Sequence, residues 1–324
     1  MTTITNTLGP PGNGGTVNVG AREDLEDMIY RVAPEETPLI NNIGSVKASA
    51  IKHEWQTESL AAASSTNAHL EGDDLGTTYS APNVPSRVSN ICQIFEKDGL
   101  VSRTQQVLDL AGRANELDRQ KILKGKELKR DVEFRMMVNG ASVLETGATA
   151  RTAGGLLAWA TSNVSRGVGG SSGSFSGGVV AAATNGTQRT FTEALVKTVL
   201  ATTFNNGGRV TQGYMAAAHK QLFSAFTGIA DIRTSVSGTD QATIYGGADV
   251  YVSDFSPITL IPHAYALTRD CAFIDPKMCA VATLDGMKSF DMAKTGDADK
   301  FMITTEKTLV VRNEKAIAVV ADLT

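Results

Sequence analysis

The stretch TQQVLDLAGRANELDRQKILKGKELKRDVEFRMMVN, residues 104–139, restricts the fold more than any other part of the chain. No proline interrupts it and most of its residues favour helix. Thr104 or Ser102 supplies an N-cap hydroxyl, and Asn139-Gly140 supplies a stop. At ~1.5 Å per residue it predicts a rod of ~50 Å, well beyond the ordinary globular helix. Val107, Leu110, Ala114 and Leu117 mark one face, which Gly125, Leu128, Val132 and Met136 continue. The other faces carry Lys121, Lys124, Lys126, Glu127, Lys129, Arg130, Asp131, Glu133 and Arg135. One side of such a rod is packed, and the other is wet or set against a charged neighbour. Gly125 in mid-helix predicts a bend or a close approach, because glycine there costs ~1 kcal/mol against alanine.

The chain preceding the rod is built to extend. Residues 1 to about 20 hold five glycines with Pro10 and Pro11 and read as an arm that does not fold alone. A helix is expected from Arg22 to Val32, ended by Pro34, and a short helical turn restarts at Thr37-Pro38. In VKASAIKHEWQTESL, residues 46–60, Ile51, His53, Trp55 and Thr57 alternate with Lys52, Glu54, Gln56 and Glu58, a period-two strand signal. Residues 61–86 are irregular, and 87–101 are again strand-like. Two polar strands around a long loop make an extended hairpin that needs a partner molecule for stability.

Beyond the rod, Leu156, Leu157 and Trp159 form a compact apolar knot. Residues 163–188 are rich in Gly, Ser and Ala and read as a flexible insertion at a domain boundary. From Thr190 the pattern is α/β: a helix over 191–204, a second over 219–226, and short strands at 214–218, 248–252, 256–262, 265–273, 278–284, 301–304, 309–312 and 316–323.

Composition closes off several functions. With 42% hydrophobic and 20% charged residues among 324, a core is easily formed. A net charge of −4 gives no basic excess for tight nucleic-acid binding. Cys92, Cys271 and Cys279 lack metal spacing and read as free thiols of a reducing compartment. The N-terminal residues lack the pattern of a signal peptide and no apolar run reaches membrane length, so a soluble protein made in a cytoplasm is expected. The glycine-rich start lacks the lysine of a phosphate loop. Glu71-Gly-Asp73-Asp74 reads as a solvated acidic turn rather than a calcium loop, and Asp297-Ala-Asp299 as a turn between strands. His53-Glu54 lacks the second histidine of a zinc protease helix. No catalytic constellation, cofactor motif or metal set is present, so the chain reads as no enzyme. The basic groups of residues 121–135 read as a solvated or subunit-facing surface braced by local pairs such as Asp131–Arg135, in preference to a polyanion-binding face.

The order of parts, arm, short helices, hairpin, very long helix, glycine-rich loop and α/β domain, resembles the major capsid proteins of tailed phages with the Hong Kong 97-type fold. The strings Asn18-Val-Gly-Ala-Arg-Glu-Asp-Leu-Glu-Asp-Met-Ile, Ala33-Pro34-Glu-Glu-Thr-Pro38-Leu, Gly154-Gly155-Leu156-Leu157 and Thr308-Leu309-Val310-Val311-Arg312-Asn313-Glu314-Lys315-Ala316 are similar to the SU-ten-like major capsid family. The resemblance implies an α+β fold with an N-terminal arm (1–44), an E-loop hairpin (45–100), a peripheral domain (101–190) with a spine helix at 104–139, an axial domain (191–300), and C-terminal strands (301–324) that complete the sheets. It implies hexameric and pentameric capsomers of an icosahedral phage head around double-stranded DNA, bound non-specifically, with assembly in the host bacterial cytoplasm and no membrane. A portal protein, and scaffolding and decoration proteins, are the further partners it suggests. On this basis the candidate subunit-interface residues are Lys52, His53, Glu54, Trp55, Glu71, Asp73 and Asp74 in the hairpin, Arg87, Glu96 and Lys97 on its return strand, and Arg130 and Arg135 on the rod. The family's covalent lysine–asparagine cross-link is not carried over, since neither Lys47 nor Lys52 has an identifiable partner. The alternatives are a cellular encapsulin-like nanocompartment shell, a secreted β-rich adhesin, which the missing signal peptide disfavours, and a soluble enzyme.

Overall fold

A computed structural model describes residues 31–72, 76, 81–108, 115–226 and 249–324. All of the 1–20 arm and most of the 22–32 helix, together with Asp73, Asp74, Leu110 and Ala114, lie outside them.

The described chain forms helices α1 (Pro38–Asn42), α2 (Arg103–Val107), α3 (Glu116–Met137), α4 (Leu156–Trp159), α5 (Glu193–Asn205) and α6 (Ala217–Ser224). The strands are β1 (Gly44–Lys47), β2 (Lys52–Thr57), β3 (Ser86–Ile91), β4 (Gln93–Ser102), β5 (Val164–Ser165), β6 (Ser174–Ser176) and β7 (Val179–Ala181). They continue with β8 (Gln212–Ala216), β9 (Val250–Val252), β10 (Pro257–His263), β11 (Cys271–Ile274), β12 (Cys279–Met292), β13 (Ala298–Val311) and β14 (Ile317–Val320).

The rod is the first correction. It is not one helix over 104–139, because Leu108 turns extended (φ −69°, ψ 140°). A new helix begins at Asn115, whose Oδ1 accepts from the Leu117 and Asp118 backbone N–H groups at 2.9 and 3.3 Å. Propensity without proline looked continuous, but an asparagine competes for backbone hydrogen bonds and starts helices better than it sits inside them. α3 has 22 residues and so runs ~33 Å. Its buried stripe is Leu128, Val132, Glu133, Met136 and Met137. Val107, expected on that stripe, is 76% exposed. The expected serine cap does hold α2, with Ser102 Oγ accepting from Gln105 N–H.

Gly125 is the second correction. The helix passes through it unbroken, and an added Cβ would meet only Met287 Sδ, at 3.9 Å. Neither a bend nor a close approach requires glycine there. Gly125→Ala is therefore expected to raise stability by up to ~1 kcal/mol, read as a higher urea midpoint with unchanged slope.

Two sheets organise the rest. The first, β1-β12-β13-β4, is antiparallel except for the parallel β1–β12 pair. α3 lies along β4 and β13, covering Phe95, Phe301 and Ile303. β12 and β13 are each one long strand where shorter pieces were expected; β12 is exposed from Gly286 to Met292, whereas β13 stays flanked by β4 and keeps Phe301 and Ile303 in the core. On β4, Gly99 lies opposite Phe301, whose ring occupies the space a Cβ would take.

The second sheet has the order β5-β14-β11-β8-β10-β9. Its central strands are apolar runs because both faces are covered. Ile317 and Val319 of β14 face the core shared with α3 and α4, while Ala318 and Val320 face α5 and α6.

The glycine-rich segment 163–188 is not a free linker. It contributes β5 to the large sheet and folds β6 and β7 into a hairpin, with Phe175 stacked on Trp159 at 5.6 Å. A Cβ on Gly173 would collide with the Ala158 carbonyl, so the composition there reflects close backbone approach rather than mobility. Asp322, at φ +60°, anchors the segment by accepting from Gly167 N–H (3.0 Å) and Gly186 N–H (2.8 Å).

Candidate assembly interface

The expected hairpin exists, but its paired part is short. β2 and β3 pair over six residues each, from Lys52↔Ile91 to Thr57↔Ser86. The strand expected over 87–101 breaks at Cys92, whose N–H donates to the Ile51 carbonyl, and restarts as β4. The root of the hairpin is fixed from inside. Asn90 is fully buried and satisfies all its groups: Nδ2 donates to the Gly154 and Leu309 carbonyls (3.0 and 2.7 Å), and Oδ1 accepts from Gly154 and Ile91 N–H (2.8 and 2.9 Å). Trp55 reaches inward to Trp159, with ring centroids 5.5 Å apart.

Past Thr57 that anchoring stops. Every described residue from Glu58 to Ser86 is exposed, including Leu60 (91%), Leu70 (80%) and Val84 (80%). The hydrogen bonds between described loop residues are local, between Ser64 and Thr66. An apolar side chain left in water on a loop without internal contacts marks a surface awaiting a partner.

The candidate interface residues divide by this geometry. Glu54 sits on the outer face of the hairpin between Lys52 (3.1 Å) and Arg87 (3.5 Å). His53 packs beside Trp55, and partial burial lowers its pKa. Glu71 and Glu96 are exposed. Lys97 is held within the subunit, by Asp131 at 2.7 Å. Arg130 lies over the Tyr265 ring at 6.0 Å. Arg135 turns inward: Nε donates to the Ala153 carbonyl (2.8 Å) and Nη2 to the Ala141 carbonyl (2.7 Å), and burial lowers its pKa. The Asp131–Arg135 pair expected from spacing is thus replaced by Asp131–Lys97. Asp297 pairs with Arg103 (2.7 Å) and Asp299 accepts from Gln106 (2.9 Å), so this acidic pair is spent on the turn between β12 and β13. Among the described residues no group of three or more His, Cys, Asp or Glu could hold a metal ion.

The charged side of α3 is largely neutralised within the subunit. Lys121 pairs with Asp291 (2.8 Å), Lys124 with Glu127 (2.9 Å) and Lys126 with Glu35 (2.7 Å).

One residue escaped the sequence reading. Glu133 is fully buried, and its carboxylate joins three parts of the chain. Oε1 accepts from Leu39 N–H (2.6 Å) and Oε2 from Ile40 N–H (2.9 Å), so α1 is capped from α3. His263 Nε2, at the end of β10, lies 3.2 Å from Oε1. His263 Nδ1 accepts from Ala266 N–H at 3.1 Å, so the ring proton sits on Nε2 and points at the carboxylate. The signal was present in the spacing: Glu133 stands three and four residues before Met136 and Met137, on the stripe they bury.

A family model described as the SU10 major capsid protein matches residues 2–324. Over 121 residues the chain is 33% identical to the major capsid protein of Escherichia phage Phieco32, an alignment covering 37% of this chain and only 34% of that relative. Among solved structures, the cyanophage A-1(L) capsid asymmetric unit superposes with a TM-score of 0.65 at 13% identity, covering 95% of this chain and 99% of that one. A structure from Mycobacterium phage Bobi gives 0.63 at 9% identity, over 95% and 97%. The Phage G gp27 major capsid proteins with gp26 decoration proteins give 0.56 at 9%, over 98% and 100%. Identities this low establish a shared fold, the α+β Hong Kong 97-type fold expected from the sequence. With a family model matched across almost its whole length and a fold shared with phage capsids, the chain belongs to the SU10 major capsid protein family.

Proposed function

We propose that copies of this chain assemble into hexameric and pentameric capsomers of an icosahedral phage head that encloses double-stranded DNA. The observation that carries this reading is the loop between β2 and β3: a root locked by Asn90 and Trp55, and beyond it a span with every described residue exposed. Such a loop acquires fixed structure from a neighbour. DNA is enclosed without being gripped. The net charge is −4, and Lys121, Lys124 and Lys126 are each paired within the subunit, leaving them no excess charge for phosphates. A portal at one vertex, and scaffolding and decoration proteins, are the further partners of such a head, which assembles in the host cytoplasm. The family match favours a virion over a cellular nanocompartment.

Cryo-electron microscopy of particles from cells expressing the full chain tests the proposal. Closed shells with six-fold and five-fold rings are expected. Open sheets, or rings of a single symmetry with no closed shell, would overturn it.

A further inference from the structure

The sequence holds four Asn-Gly pairs, the dipeptide in which a backbone nitrogen most easily reaches the side-chain amide before it, because glycine puts no Cβ in the way. Asn13-Gly14 lies outside the described residues. The other three have different surroundings. At Asn139-Gly140 the asparagine amide is held at both ends, with Nδ2 donating to the Ala183 carbonyl (2.7 Å) and Oδ1 accepting from Ala183 N–H (2.8 Å). At Asn206-Gly207, Nδ2 donates to Asn163 Oδ1 at 2.6 Å. In both pairs the glycine N–H donates to a backbone carbonyl, which is no base: Gly140 to Val138 and Gly207 to Phe204, each at 2.9 Å.

Asn185-Gly186 differs on both counts. Asn185 is exposed, and no hydrogen bond to a described residue holds its amide. Gly186 N–H donates to a carboxylate, Asp322 Oδ1, at 2.8 Å. Asp322 is fully buried and is oriented by Gly167 N–H on Oδ2 (3.0 Å) and Arg269 Nη2 on Oδ1 (3.1 Å). The backbone on either side is fixed, by the Ser171–Thr184 bridge and by Thr187 N–H donating to the Val168 carbonyl at 2.9 Å. Glycine is required at 186, since a Cβ there would lie 2.5 Å from the Gly167 carbonyl oxygen.

We propose that Asn185 is a self-modification site, at which Asp322 acts as general base for conversion of the asparagine to aspartate and isoaspartate through a succinimide. A peptide N–H donates in the plane of its peptide group, whereas attack on the preceding side chain comes from the face of that plane, so the two do not compete. Asp322 Oδ1 takes the Gly186 N–H proton as the nitrogen bonds to Asn185 Cγ. The Cγ–Nδ2 bond then breaks, the proton passes to the departing nitrogen, and ammonia leaves a five-membered succinimide. Water opens the ring at either carbonyl. Attack at Cγ gives aspartate, and attack at the main-chain carbonyl gives isoaspartate, whose backbone is one CH2 longer. The sum is amide plus water to carboxylic acid plus ammonia, with no change of oxidation state. The isoaspartate product moves Gly186 N–H off Asp322, so the glycine-rich segment loses one of its two backbone clasps on that carboxylate.

Mass spectrometry of the full-length chain, held at neutral pH and sampled over days, tests this. The tryptic peptide 167–189 lies between Arg166 and Arg189 and carries Asn185 as its one asparagine. It should gain ~1 Da and split into aspartate and isoaspartate forms. The gain should be at least ~10-fold faster in the native chain than in the same chain unfolded in guanidinium chloride, because unfolding removes the base. Asn139 and Asn206 should show the reverse order, slower when native. Asp322→Asn should slow Asn185 at least ~10-fold. Continued protection of Asn139 and Asn206 shows that this variant is folded; if it is not, the comparison of native with unfolded wild-type chain decides alone. Modification of Asn185 no faster in the native chain than in the unfolded one, or equally fast in a folded Asp322→Asn chain, would overturn the proposal.

Discussion

Replacing Glu133 by alanine should cost the subunit about 3–5 kcal/mol, more than any other single substitution considered for this chain. The carboxylate is fully buried and holds Leu39 N–H, Ile40 N–H and the His263 ring together. Its removal leaves two backbone donors and an imidazole N–H buried with no acceptor, each an unpaired group worth ~1–3 kcal/mol. It also frees α1 from α3, so the arm loses the anchor at Leu39 and Ile40. Glu133→Gln keeps the shape but turns an NH2 toward groups that are themselves donors, so it should recover only part of the loss. Urea unfolding of unassembled subunits checks this. A midpoint shift worth under 0.5 kcal/mol for the alanine variant, on the order of ordinary surface substitutions, would show that the three-way joint carries no stability.

Cutting away the exposed loop should do the opposite. Replacing residues 58–85 with Asn-Gly joins Thr57 to Ser86, an existing cross-strand pair, through a two-residue turn suited to a hairpin. The described residues removed are all exposed, so little core packing goes with them. Shortening a 28-residue connection to two lowers the loop-closure cost by ~2 kcal/mol, so the subunit should be at least as stable as before. Assembly should fall at least ~100-fold, equivalent to ~2.7 kcal/mol of lost contact between copies. Equal destabilisation of the subunit would mean that the loop serves its own fold. Normal shell yield would mean that neighbours do not need it.

These contrasting outcomes show which parts of the molecule were legible in its sequence. Period-two patterning located β2, and the apolar runs located β8, β10 and β14, because a strand's burial is written in adjacent residues. The exposed loop was legible for the same reason, as a span with no pattern at all. Glu133 was harder. Its role depends on Leu39, Ile40 and His263, which are 94, 93 and 130 residues away in the chain. No local pattern announces a partner at that distance. The break in the long helix was local but hidden, since Asn115 is tolerated within a helix and favoured at its start. The glycine-rich segment misled in another way. Glycine signals flexibility and tight backbone contact with the same residue, and at Gly173 the contact is what it serves.

The central claim is that this subunit is complete in its core but incomplete in its loop until it meets copies of itself. Hydrogen exchange on unassembled subunits and on assembled shells tests it most directly. Amides of residues 58–72 should exchange rapidly in the unassembled subunit and become protected by at least ~100-fold in shells, while those of α3 from Leu128 to Met137 stay protected in both. Loop amides protected already in the unassembled subunit, or still exchanging freely in closed shells, would contradict it.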